Sequence, residues 1–198
     1  MNFKFEQELQ FENEMVLIRP LLAEDNKHLL RIATEERELL KYSPKQIYNP
    51  QLLGQFIEAA INERQAGLRY PLVIFDKRTK SYAGCTGFLN ISNLHKKLEI
   101  GGTWLGRCFQ GSGINRCCKF LLLGFAFDDW GAERVEFKTD ERNIVSRRAI
   151  QAIGGQLEGI LREDTLMSDG FRRNTACYSI LRREWDLQRE ILKKAGIK

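Results

Sequence analysis

The sequence predicts an α/β (α+β) fold built on a mixed, mostly antiparallel sheet. Three apolar runs, Tyr70–Phe75, Tyr82–Ile91 and Leu98–Leu105, follow one another with turn residues between them, the pattern of an antiparallel meander. A glycine-rich loop and a long apolar helical pattern then separate Leu98–Leu105 from the alternating segment Arg134–Thr139. That order implies a right-handed crossover that leaves those two strands parallel. No internal repeat and no low-complexity linker interrupts the chain, so residues 1–198 read as a single domain.

The elements follow in order. Met15–Arg19 reads as a first strand stopped by Pro20. Glu24–Leu40 carries apolar residues at helical spacing and ends before Tyr42-Ser-Pro44. Asn49 is a natural N-cap for a second helix, with Pro50 in its first turn and Gly67 as its stop. After the meander, Ile114, Cys118, Leu121, Leu122 and Phe125 share one face of a helix that runs to Trp130. Arg134–Thr139 alternates like a half-buried strand. Asn143–Ile153 reads as a helix closed by Gly154-Gly155. Leu157–Leu161 and Ala176–Leu181 read as a terminal strand pair joined by the turn Met167–Gly170, with a last helix from Trp185. The order is β-α-α-β-β-β-α-β-α-β-β-α.

Composition narrows the function classes. The hydrophobic share is 43% and the charged share 29%, ordinary for a globular chain and unlike a disordered one. The net charge of +5 suits an anionic ligand. Five cysteines, Cys85, Cys108, Cys117, Cys118 and Cys177, form no CxxC pair and argue against a disulfide framework or a zinc site. Reduced and mostly buried thiols in the cytoplasm are the simplest reading. The polar start, Met1–Gln10, has no apolar run of a signal peptide, and no stretch is long enough to span a membrane.

Two strand-to-helix junctions carry the candidate chemistry. Gln110-Gly111-Ser112-Gly113 leads into the helix at Ile114, where unpaired main-chain N–H groups can meet phosphate oxygens that glycines allow to come close. A simple glycine turn reads equally well from this motif alone. No Walker lysine follows it. The second junction is Asp140–Ile150, where Asn143 fits an N-cap and Ser146 falls in the first turn; capping alone would also explain it. Together the two junctions place polar groups at one C-terminal sheet edge, where open α/β sheets bind ligands.

These residues resemble a known family. Leu98-Glu-Ile-Gly-Gly-Thr-Trp-Leu105, Gln110-Gly-Ser-Gly-Ile-Asn115, Arg134–Asp140, Asn143-x-x-Ser146-Arg147-x-Ala149-Ile150 and Leu157–Arg162 are similar, in this order, to segments of the GNAT superfamily of N-acetyltransferases. The branch of ribosomal-protein N-terminal acetyltransferases of RimJ/RimL type is the nearest, and Leu17-Ile-Arg-Pro20 with Asp25 resembles it too. The resemblance implies helices on both faces of the sheet and a split between the fourth strand, Leu98–Leu105, and the fifth, Arg134–Thr139. It implies acetyl-CoA as the acetyl donor, with its pantetheine arm in that split. Main-chain groups of Trp104 and Leu105 would pair with the arm, the amides of Gln110, Gly111, Ser112, Gly113, Ile114 and Asn115 would cradle the pyrophosphate, and Asn143 would bond the arm. Ser146 would protonate the leaving thiolate.

This chain departs from the family at two positions. Cys108 stands where many members have Gln or Arg, and Ile150 stands where many carry a tyrosine acid. Developing oxyanion charge would be met by backbone N–H groups near Trp104 and Leu105. Glu99 is a candidate base that reads equally well as a surface strand residue; Glu163 and Asp164 are weaker candidates. His28 and His95 read as solvated. Arg116, Lys119, Arg147 and Arg148 lie near the phosphate end, where such charges either meet the coenzyme or are merely solvated. Trp104 and Phe109 read as acceptor-cleft or core residues. The acceptor is a primary amine, a peptide N-terminus by branch resemblance or else a small molecule. A non-catalytic CoA-binding regulator is the alternative that Ile150 motivates. No RNA-binding motif is visible, which argues against nucleic acid as a direct partner. A homodimer is compatible with the resemblance, and no metal is expected.

Overall fold

The computed structural model describes residues 1–194 and Gly196. Eight strands form one sheet: β1 (Phe11–Glu12), β2 (Val16–Pro20), β3 (Arg69–Asp76), β4 (Ser81–Ser92), β5 (Lys97–Leu105), β6 (Arg134–Asp140), β7 (Gln156–Leu166) and β8 (Arg172–Leu181). Their spatial order is β1-β2-β3-β4-β5-β6-β8-β7, and every neighbouring pair is antiparallel except β5 and β6. The helices are α1 (Asp25–Thr34), α2 (Pro50–Gln65), α3 (Ile114–Gly124), α4 (Ile144–Gln151) and α5 (Arg182–Lys194).

Side chains alternate across a strand, so the register sorts them into two faces. Tyr70 and Leu72 of β3 stand opposite Phe88 and Thr86 of β4 on one face; Arg69, Val73 and Cys85 stand on the other. α3 covers the first face, where Lys119 reaches the Thr86 hydroxyl. α1 and α2 cover the second: His28 stacks on Tyr82, and Phe56 lies 5.6 Å from the Arg69 guanidinium. With helices on both faces, β3 is buried along nearly its whole length. Each fully buried side chain such as Phe88 or Ile74 contributes about 1.5–3 kcal/mol of hydrophobic stabilisation. α2 begins as its sequence dictates, with Asn49 Oδ1 accepting from Leu52 N at 2.8 Å and Pro50 in the first turn.

Several boundaries differ from the sequence reading. The first helix ends at Thr34 rather than Leu40, and Leu39 and Leu40 reach the core from irregular turns instead. α3 ends at Gly124; one wider turn, Phe125–Asp129, follows, closed by Trp130 N donating to Phe125 O at 3.0 Å. That turn places Trp130 against Phe3, Phe88 and Phe125. The short β1 has no counterpart in the sequence reading, and β7 and β8 are longer than their apolar runs.

The parallel pair opens. β5 and β6 pair only over Lys97–Glu99 against Arg134–Glu136. Beyond that, Ile100–Leu105 have no partner in β6. A bulge on β5 accompanies the divergence: Gly87 stands opposite Gly101 and Cys85 opposite Trp104, so Gly102 and Thr103 together face the single residue Thr86. Gly102 takes a left-handed φ of 62°, and bulges of this kind bend the strand that carries them. β4 follows the bend closely, because a Cβ on Gly84 would lie 2.0 Å from Trp104 O.

Candidate active site

The loop after β5 leaves its main-chain donors free from Gly111 onward, whereas Gln110 N, expected in the cradle, donates to Arg107 O at 3.2 Å. Gln110 Nε2 donates to Leu105 O at 3.1 Å and Ser112 Oγ donates to Phe109 O at 2.6 Å, so the side chains tie the loop to preceding carbonyls. Gly111 and Gly113 take φ values of 73° and 90°, which L side chains adopt only with strain. No atom lies within 4 Å of the place a Cβ would take on Gly111. α3 has no side-chain cap and no acidic residue in its first turn. Among the described residues, no protein acceptor meets the main-chain N–H groups of residues 111–116. Unpaired N–H groups at the positive end of a helix dipole make an anion site. In the first turn of α3, Asn115 Oδ1 is a buried acceptor without a partner, which calls for a donor rather than an anion.

The second junction follows the C-terminal end of β6. Asn143 Oδ1 accepts from Ser146 N at 3.0 Å and caps α4. Its amide NH2 group has no protein partner among the described residues, so cap and free donor coexist on one side chain. The half-buried Ser146 presents a hydroxyl that likewise bonds no protein group among them. Both junctions therefore sit at the ends of the two parallel strands, beside their opening. Trp104, 5% exposed on β5, holds a buried indole Nε1 with no hydrogen-bond partner, and Leu105 beside it is buried. Orphaned donors and an open glycine cradle fit a long ligand with amide groups and a diphosphate.

Glu99 is a buried residue, which overturns its reading as a surface strand position: it is 7% exposed. Its Oε2 accepts from Asn90 Nδ2 at 2.8 Å and pairs with Lys138 Nζ at 3.3 Å. Burial pulls the Lys138 ammonium down, but the charge and hydrogen bond of Glu99 outweigh it and hold that proton more tightly than usual. Glu163 and Asp164 are exposed on β7. Lys119 is a second correction, since it is buried beneath the sheet and cannot serve as a surface cation. Its Nζ donates to Thr103 Oγ1 at 2.6 Å and to Thr86 Oγ1 at 3.4 Å. Arg147 is engaged too, donating from Nε to Tyr178 OH at 2.9 Å, whereas Arg116 and Arg148 are exposed. Ile150 is buried, packed against Gly155. His28 and His95 are exposed; Cys85, Cys117 and Cys118 are buried, and Cys108 is not.

The sequence reading missed Arg69, Asn90 and Lys138, all of which gather around the β5 bulge. Nothing in their local pattern marks them, because their meeting depends on register across three strands. A cavity of about 710 Å³ opens on the α2 side of the sheet, lined in part by Lys45, Tyr48, Phe56, Met167 and Asp169. Among the described residues no group of His, Cys, Asp and Glu is placed to hold a metal ion, and no helix is long and apolar enough to cross a membrane.

Known proteins are similar to this chain in sequence and in fold. YdaF of Bacillus subtilis, whose name assigns it provisionally to ribosomal N-acetylation, is 27% identical over 176 residues, covering 81% of this chain and 95% of that protein. A solved structure from T. thermophilus, described provisionally as an acetyltransferase, is 32% identical with a TM-score of 0.85, covering 94% of this chain and 96% of that one. A ribosomal-protein-S5-alanine acetyltransferase from Vibrio fischeri shares the fold at 19% identity, with a TM-score of 0.70 over 89% of this chain and 98% of its own. Residues 15–156 match the acetyltransferase (GNAT) domain family, so the chain belongs to that family and is an acyltransferase.

Proposed function

We propose that this chain transfers the acetyl group of acetyl-CoA to a primary amine, with a peptide N-terminus as the first acceptor to test. The observation that carries the proposal is the row of unpartnered main-chain N–H groups at the mouth of α3, beside the opening of β5 and β6. The names of YdaF and of the Vibrio fischeri protein support a peptide acceptor.

The coenzyme supplies the acetyl group as an activated thioester. Main-chain N–H groups from Gly111 to Asn115 hold its diphosphate, while that of Gln110 is already given to Arg107 O. The free amide of Asn143 and the main-chain groups of Trp104 and Leu105 orient the pantetheine arm. Main-chain N–H groups of β5 that β6 leaves unpaired face the carbonyl oxygen as charge develops on it. Glu99, fixed by Asn90 and Lys138, takes the proton from the attacking amine directly or through one water, and Ser146 returns a proton to the thiolate. Free thiols, Cys108 exposed among them, suit a reducing cytoplasm.

The test is a panel of peptides and small amines mixed with protein and acetyl-CoA, followed by thiol release and by the mass of the product. A gain of one acetyl group on a peptide N-terminus is the expected result. Coenzyme binding with no acetylated product from any amine would support a non-catalytic regulator instead.

A further inference from the structure

Arg69 is 6% exposed, and the hydrogen bonding of its guanidinium is incomplete in a specific way. Nη1 donates to Glu63 Oε2 at 3.2 Å, while Nε and Nη2 are buried without any partner. Nε and Nη2 form one edge of the planar group, the two-pronged edge that matches a carboxylate. That edge stands at the β5 bulge: Nη2 lies 3.0 Å from the place a Cβ would take on Gly102, and Glu99 Oε1 lies 2.9 Å from the corresponding place on Gly101. The missing side chains of two adjacent glycines thus leave a fork of donors and a carboxylate on the same side of the sheet where β5 parts from β6, with Leu89 between them in the register.

Charge points the same way. Glu63 is shared between Arg69 and Lys45, the latter at 2.8 Å, so two cations have one carboxylate between them. Lys45 lines the cavity of about 710 Å³, and so does Phe56, whose ring lies 5.6 Å from the Arg69 guanidinium. Asp169 also lines it but accepts from Phe171 N at 3.0 Å within its own turn. A buried cation with an empty fork is costly unless an anion completes it.

We propose that the acceptor carries a carboxylate a few bonds from its amine, and that Arg69 binds this carboxylate through Nε and Nη2 while Glu99 faces the amine. The inference rests on the transfer reaction proposed above and specifies its acceptor. Two sources supply such a group: the side chain of an N-terminal aspartate or glutamate in a peptide, and the α-carboxylate of a free amino acid.

The test compares acetylation, as kcat/KM, of a peptide beginning Asp-Ala with one beginning Asn-Ala, and of alanine with alaninamide. The wild-type protein is expected to prefer the carboxylate member of at least one pair by about tenfold or more. The pair that shows it identifies the source. Arg69→Lys keeps the charge but removes the fork, and is expected to bring that preference to within about threefold of unity. Heat of coenzyme binding, measured in parallel, shows whether the variant has folded. Equal rates within both pairs in the wild-type protein overturn the proposal without reference to any variant, as does a preference that survives in folded R69K. Coenzyme binding with no turnover of any of the four amines also overturns it. Absence of coenzyme binding in the wild-type protein refutes the transfer reaction itself.

Discussion

Glu99 on β5 and Lys138 on β6 form an ion pair of 3.3 Å, next to the last position at which the two strands still pair. The pair bridges the strands where they begin to diverge. It also fixes a buried carboxylate whose second oxygen lies over Gly101, on the same side of the sheet as Arg69. Asn90 and Lys138 hold that carboxylate in place, as the proton transfer proposed for it requires.

Glu99→Gln preserves shape and the hydrogen bond from Asn90 but removes the proton acceptor. The expected result is a loss of about 10²-fold or more in kcat, with heat of coenzyme binding unchanged. Steady-state kinetics beside calorimetry checks this. A variant that keeps wild-type kcat removes Glu99 from the reaction.

Asn143 caps α4 and, in the proposed reaction, also donates to the coenzyme; two substitutions separate these tasks. Asn143→Asp retains an oxygen to cap α4 but lacks the NH2 donor; Asn143→Ala lacks both. The Ala variant is expected to lose about 1 kcal/mol of stability, while the Asp variant melts close to wild type. Both are expected to bind the coenzyme more weakly by about fivefold or more. Thermal melts with calorimetry distinguish the pair, and full affinity in both variants assigns Asn143 to capping alone.

Lys119 makes stability depend on alkaline pH. Burial pushes its ammonium down to about 8, against an ordinary value of 10.5. Below pH 8 the group is protonated in both folded and unfolded chains, and the burial penalty is fully present. Between about 8 and 10.5 the folded chain has released a proton that the unfolded chain keeps, so stability rises with pH. Cys118, its neighbour, stays a thiol there because burial raises it to about 12. Lys119→Met leaves the hydroxyls of Thr86 and Thr103 bonded to each other at 2.8 Å. The melting temperature of the wild-type protein relative to this variant is expected to climb from pH 8 to pH 10; a constant difference contradicts the account.

Elements whose signals are local were legible in the sequence. The Asn49 cap, the glycines of the loop before α3 and the Asn143 cap each act within one turn, and each stands where the pattern placed it. The crossover and its parallel pair followed from element order. The end of α1 was less legible, because Leu39 and Leu40 are apolar at helical spacing yet reach the core from turns, a tertiary preference that periodicity cannot register. β7 reads short in the sequence because most of it is exposed and lacks the alternation of a half-buried strand. The surroundings of Glu99 could not be read at all. Its burial and its partners depend on three strands in register, and its own neighbours in sequence give no sign of them.

The most direct measurement is a crystal structure of this protein with acetyl-CoA. The account predicts diphosphate oxygens within hydrogen-bonding distance of main-chain nitrogens from Gly111 to Asn115, and the acetyl carbonyl beside the β5 bulge. A coenzyme bound with its diphosphate away from Gly111 and Gly113, or β5 and β6 closed along their length without it, would contradict the account.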